Sequence, residues 1–359
     1  MCQVLTVRLS RRQILAGGLT LAASSPASLP VRNAFADAAL SDTHTHAQAR
    51  WLAGLMPLPG LDPSAEWAAF AQLENERWLQ SQPRIKAMQE WSAKELQPLV
   101  PPEHAVFYPF AGPDALHALS LFGGARRIVL VGLEPVGALP DPAAVPPGFF
   151  SRLGSALGDV HRLTFFRTHE MSTDFQREGV LSALVATVAR MGGRVSSVQG
   201  AQAASNPPTP PGARIDWATA AGQARRLDYV QADLANSGLK AAPSLTSMVH
   251  GLAPCVTFVK AAMYLLAEPR FASLRQMILD DSSIVLQDDT GVPFRYFDER
   301  WAARFFGRYE APGSPFEERV QPALRSAFEQ HGASALSFGI GYHVHPSRSN
   351  LLVASKGRR

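Results

Sequence analysis

Residues 105–137, AVFYPFAGPDALHALSLFGGARRIVLVGLEPVG, decide how this 359-residue chain is read. An apolar run leads into a Gly-Pro-Asp turn. A short amphipathic segment, a Gly-Gly pair, a second apolar run and an acid follow. Apolar runs bounded by turn residues and separated by a helical stretch are the pattern of a βαβ unit. Ligands of open α/β sheets sit outside the carboxyl ends of the strands, so the residues at those ends are the first candidates for function. The first strand passes Tyr108 and ends at Gly112 and Asp114. The second ends at Glu134, about 20 residues past the glycine turn, where Rossmann-like folds place a ribose-binding carboxylate.

Working outward, the alternation continues. Runs at 106–110, 127–133, 194–198, 227–231, 256–259 and 283–287 read as buried strands. Between them, 174–191 and 269–279 carry helical spacing, the first stopped by Gly192-Gly193. Upstream, Trp67, Phe70, Ala71 and Trp78 fall at helical spacing, Pro83 interrupts, and Ile85, Met88, Trp91 and Leu96 resume it. This predicts a two-helix hairpin over 64–99. At the other end, 335–344 and 350–355 are joined by the turn-forming HPSRS and read as an antiparallel hairpin at a sheet edge. The expectation is an α/β fold. Its core, residues 100–359, would be a mostly parallel, Rossmann-like sheet with helices on both faces, inside a single domain from 37 to 359. The proline-rich stretches at 135–148 and 199–214 read as surface loops.

Lys260 follows the fifth of these strands, and Asp288 with Asp289 follows the sixth. Asp114, Glu134, Lys260, Asp288 and Asp289 are therefore the candidate catalytic groups, with Tyr108 and Gly112 as ligand contacts. A carboxylate of this set would serve as base and Lys260 would steady negative charge; a binding protein would use the same groups only to fix a ligand. A single charge at a strand end is ordinarily just leaving the core, and Asp114 alone is well explained as a helix N-cap. The turn limits the ligand. It has one glycine, and Pro113 lacks an N–H, so no pyrophosphate cradle is formed and a small polar ligand is expected. No motif names a cofactor.

The segments FYPFAGPDALHALSLF, VGLEPVG, VKAAMYLL, VLQDDTGVPFRYF and SFGIGY together resemble a group of exported bacterial proteins of unknown function. Their marks are a Tyr-Pro-Phe-x-Gly-Pro-Asp turn and a Gly-Leu-Glu-Pro strand end. The resemblance implies no particular activity. A fainter similarity links the glycine turn, the later acid and the terminal hairpin to methyltransferase-like Rossmann folds.

The N-terminus has the form of an address. Arg11 and Arg12 precede an apolar run too short to span a membrane, and Ala34-Phe-Ala36 offers small residues for cleavage. Residues 1–36 read as a twin-arginine export signal, with the translocase as partner during export and a periplasmic or secreted destination. That segment holds four basic residues and no acid. Without it, the chain's 34 Lys+Arg against 30 Asp+Glu becomes 30 against 30. A neutral mature protein lacks the charge that nucleic acid or an anionic membrane would select, and nothing predicts stable membrane insertion. Cys2 leaves with the signal, so Cys255 has no disulfide partner in the mature chain and reads as core.

Two other chemistries compete. His44 and His46 in SDTHTHAQAR resemble the His-x-His strand of metal-dependent amidohydrolases, where positions i and i+2 share a strand face. His343-x-His345 is a second such pair. This makes a metal-dependent hydrolase the runner-up, although the flanking residues are not those of a buried strand and adventitious metal binding explains the pairs as well. Nucleophile motifs are weaker: Ser337 in ALSFG only loosely resembles a nucleophile elbow. A non-enzymatic envelope-interaction module is the third reading.

Overall fold

The computed structural model describes residues 42–162, 178–201 and 209–357. The proposed export signal, with Arg11 and Arg12, lies outside these residues, as do positions 174–177 of one expected helix.

Nine strands form one sheet: β1 Ala105–Tyr108, β2 Arg127–Gly132, β3 Arg194–Ala201, β4 Gly212–Ala218, β5 Ala224–Gln231, β6 Cys255–Val259, β7 Ser282–Gln287, β8 Trp301–Gly307 and β9 Asn350–Lys356. Their spatial order is β3-β4-β5-β2-β1-β6-β7-β9-β8. The five central strands, β5-β2-β1-β6-β7, are joined by parallel pairs. Every outer pair is antiparallel. The architecture is therefore a mixed α/β sheet, and the mostly parallel sheet expected from sequence is corrected to a parallel centre with antiparallel flanks. The flanking β4 and β8 went unread because GARIDWA alternates polar with apolar residues and WAARFFG is broken by Arg304, unlike the continuous apolar runs of doubly buried strands.

Alternate residues of the central strands feed two cores. Tyr108, Leu130, Tyr229, Phe258 and Leu286 enter one, shared with the helices α1 Asp42–Leu52, α2 Ala65–Trp91, α3 Ala115–Leu121, α4 Phe149–Arg162 and α5 Leu181–Arg190. Phe107, Val129, Val131, Val259 and Val285 enter the other, with α6 Asn236–Ala241, α7 Pro243–His250, α8 Ala272–Asp281 and α9 Pro322–His331. Both sheet faces are thus covered by helices.

Two expected elements are corrected. The hairpin over 64–99 is one 27-residue helix that runs through Pro83 and passes into a π-helical turn at Ser92–Leu96. Pro83 cannot donate to the carbonyl of Leu79, but both residues lie on the exposed side, where water can take that carbonyl. Trp67, Phe70, Ile85, Met88 and Trp91 keep their buried face throughout. The C-terminal edge hairpin is also absent. β9 lies inside the sheet between β7 and β8, as the buried run Asn350–Ala354 requires, and β8 is the edge. Residues 335–344 form no strand; they are a tight segment with one isolated bridge between Ile340 and His343. No described helix is long and apolar enough to cross a membrane.

Candidate functional site

Chain order and spatial order part at β1. Its neighbours are β2 on one side and β6 on the other, so the chain winds outward in both directions from this strand. In open α/β sheets such a reversal leaves a crevice beyond the strand ends. Tyr108, Asp114 and Lys260 meet beyond the ends of β1 and β6, all but fully buried.

Asp114 is the hub. It caps α3, accepting from the backbone N–H of His117 at 3.3 Å. The Tyr108 hydroxyl donates to its Oδ2 at 2.8 Å, the His117 ring Nδ1 lies 2.7 Å from Oδ1, and Lys260 Nζ sits 2.8 Å from Oδ2. Burial alone would raise this carboxyl, but His117 and Lys260 hold it far below the usual carboxylate range. Burial lowers His117 to about 4, opposed by Asp114. The ring is therefore neutral at neutral pH. Facing an ionised carboxylate, its Nδ1 must carry the proton and donate. Tyr108 is pushed well up by burial and by Asp114. The hub ties the end of β1, the start of α3 and the end of β6 into one unit.

The second half of the site is a strained loop after β6. Among the described residues, five non-glycine positions have left-handed backbone, and four of them are Phe110, Ala261, Met263 and Tyr264, beyond the ends of β1 and β6. Such conformations cost of order 1–3 kcal/mol each and persist only where the surroundings over-determine them. Here they do. Asp288 Oδ2 accepts from Ala261 N at 2.8 Å, and Thr290 Oγ1 accepts from Ala262 N at 2.7 Å. The Tyr264 hydroxyl donates to Asp289, and the Tyr342 hydroxyl donates to Ala261 O at 3.0 Å. Asp288 also accepts from the Thr290 N–H and hydroxyl, and Asn350 donates to Asp289 at 3.1 Å. Burial, with Asp289 beside it, raises the Asp288 carboxyl above the usual range. Gly341 rests on this carboxylate so closely that a β-carbon there would collide with Asp288 Oδ2, and its φ of +68° also favours glycine.

Glu134 stands one strand further along. The Tyr229 hydroxyl donates to its backbone oxygen at 2.8 Å and lies 3.4 Å from Oε2. The Glu134 carboxylate, the Gly112 α-carbon and the Tyr229 hydroxyl all crowd Gly132, which leaves no room for a side chain there. Glu134 is thus placed against the Gly112 turn, while Asp114, Lys260, Asp288 and Asp289 gather on the β6–β7 side. Leu133 and Met263, at the tips beyond β2 and β6, and Val344 on the C-terminal segment are exposed.

Sequence reading missed His117, Tyr264, Thr290 and Tyr342. The Asp114-x-x-His117 spacing was a usable signal, because the third residue of a helix meets its cap. The others are brought in by loop packing that no spacing reveals. It also missed a buried polar cluster between α2, α4 and α5. His161 Nδ1 lies 3.4 Å from Glu74 Oε1, near enough for charge attraction but off hydrogen-bond geometry, and neither atom has a hydrogen bond. Burial raises Glu74 to about 7, against Arg190 and Arg77, and lowers His161 to about 3.

The metal alternative loses its geometry. His44 and His46 lie on helix α1, where neighbours two apart point to different sides, and His44 is exposed. No cluster of three or more His, Cys, Asp or Glu side chains suited to a metal ion occurs among the described residues. Ser337 is exposed on the C-terminal segment, and Cys255 is buried on β6 with its thiol raised by burial. No protein-family model matches this chain, and no curated protein matches it.

Proposed function

We propose that this chain binds a small polar, hydroxyl-bearing ligand in the crevice beyond β1, β2 and β6, between the Gly112 turn and the 260–264 loop. The observation that carries this reading is the concentration of left-handed, non-glycine backbone at those strand ends, clamped by buried side chains. A core has no use for such strain, whereas a preorganised binding surface does. Glu134 is the acceptor for the ligand hydroxyls, and Gly112 lets the ligand approach the backbone. Asp114 and Lys260 are positioning residues, because each is spent on the other and on the walls of the site.

The five parallel strands, numbered by their own chain order, run 3-2-1-4-5 across the sheet. That is the Rossmann order, and it supports the Rossmann-like reading; of the methyltransferase-like likeness, the glycine turn and the later acid remain, without the terminal hairpin. We further propose that the protein is exported through the twin-arginine translocase and works in the periplasm or outside the cell, on the strength of Arg11, Arg12 and the Ala34-x-Ala36 site.

Thermal shifts with ribose, adenosine and glycerol as probes test the ligand class. At least one probe should raise the melting temperature of the wild type and not of Glu134→Gln. No shift with any of them, or an equal shift in both proteins, rejects the reading.

A further inference from the structure

Between β7 and β8 the chain makes a 3-10 turn at Phe294–Tyr296, where Tyr296 stands half-buried. Two guanidiniums close on its ring. Arg275 of α8 lies over it with Cζ 4.2 Å from the centroid, and the exposed Arg295 has its Cζ at 5.0 Å. Arg275 is held in place by Nη1, which donates to Leu266 O at 2.6 Å. Arg295 stands at the phenolic end, with Nη2 3.5 Å from the hydroxyl oxygen. Arg300 and Arg319, close by in the chain, pair with Asp298 and Glu268. Arg275 and Arg295 pair with no acid among the described residues. The charges felt at the phenol are accordingly positive. Hydrogen bonding from Arg295, with the charges of both arginines, draws the Tyr296 hydroxyl below its usual range, against burial acting the other way.

Stacking on an aromatic face accounts for Arg275 alone. It does not account for a second cation at the hydroxyl end of the same ring with no acid between them, because like charges so placed repel. An anion at the phenolic end would remove that repulsion. Its donors are at hand in the terminal N–H groups left over on both guanidiniums and in the Tyr296 hydroxyl. Donors above the ring and at its hydroxyl end do not share one plane, which suits a tetrahedral oxyanion better than a planar carboxylate. We propose that Arg275, Tyr296 and Arg295 form a surface site for a phosphoryl group, carried by a soluble phosphate or by a lipid headgroup. The site includes none of Gly112, Asp114, Glu134 or Lys260, so it stands or falls independently of the strand-end crevice.

Calorimetric titration of the full chain with inorganic phosphate, glycerol phosphate and succinate, against sodium chloride at matched ionic strength, tests it. Co-sedimentation with phosphatidylglycerol and with phosphatidylcholine vesicles is the second arm. Binding of either soluble phosphate, more tightly than succinate, assigns the site to a soluble ligand. Capture by phosphatidylglycerol vesicles alone assigns it to a headgroup. Whichever binds should weaken tenfold or more in Arg295→Gln, an exposed position outside the core, and several-fold in Tyr296→Phe. Arg300→Gln, which removes a neighbouring arginine already paired with Asp298, should change it less than twofold. The proposal is overturned if no phosphate or vesicle binds better than its control, or if succinate binds as tightly as phosphate. It is equally overturned if the affinity survives Arg295→Gln, or falls as far in Arg300→Gln.

Discussion

At Asp114, donors from three elements converge on one carboxylate buried beyond reach of solvent. Removing its charge leaves Lys260 buried without its acid, so Asp114→Asn should lose about 3–5 kcal/mol of stability in denaturant unfolding. Adding Lys260→Met to that variant should recover much of the loss, since a pair costs less to replace than to break. Failure of the double variant to recover any stability would mean the hub does not act as a pair. Glu74 has a different signature. Its carboxyl ordinarily titrates near 4.5 and rises to about 7 in the fold, so between those values the folded chain holds a proton that the unfolded chain has lost. That contribution is present below pH 4.5 and is lost as pH rises through about 7. His161 acts oppositely: lowered to about 3, it penalises the fold increasingly as pH falls below 6.5. Relative to Glu74→Gln, the wild type should therefore lose on the order of 2–3 kcal/mol between pH 4.5 and 8. A gap between the two proteins that does not move with pH would contradict this assignment.

Among the elements, α2 shows how far a local rule carries. Its start was open to reading: Ser64 caps it by accepting from Trp67 N at 3.1 Å, and Ser64→Ala should cost about 1 kcal/mol. Its continuation was not. Pro83 is a helix-breaking signal, yet the buried stripe on either side of it gains more from one uninterrupted packing surface than the lost hydrogen bond costs. Pro83→Ala should thus raise the melting temperature, because the exposed proline weakens a helix interior by up to about 3 kcal/mol relative to alanine. An unchanged or lower melting temperature would show that the ring itself packs usefully. The same logic separates β9 from its expected hairpin. Its apolar run fits a doubly buried strand, whereas the glycines of SFGIGY fit close approaches, Gly341 to the Asp288 carboxylate and Gly339 to the Val344 carbonyl. Gly341→Ala should accordingly destabilise the chain, because the added carbon collides with the Asp288 carboxylate at a left-handed backbone position.

For the whole molecule, an export signal over 1–36 is removed before the protein works, so deletion of 1–36 should leave the melting temperature unchanged within error. Replacing Arg11 and Arg12 by lysine should hold the precursor in the cytoplasm, and unchanged export of that variant would remove the twin-arginine assignment. What the sequence by itself determined is the set of central strands, the turn at Gly112, the capping role of Asp114, and the strand-end placement of Tyr108, Glu134, Lys260, Asp288 and Asp289. Those follow from local pattern: a buried strand needs an apolar run, and its charged residues collect where the run stops. Tertiary structure alone decided which strand lies beside which, that half of the sheet's pairings are antiparallel, and that Asp114 faces Lys260 while Asp288 clamps Ala261. These contacts join residues 146 and 27 positions apart in the chain. Their partners are chosen by burial and charge balance in the folded state, and no spacing within a single segment encodes that choice.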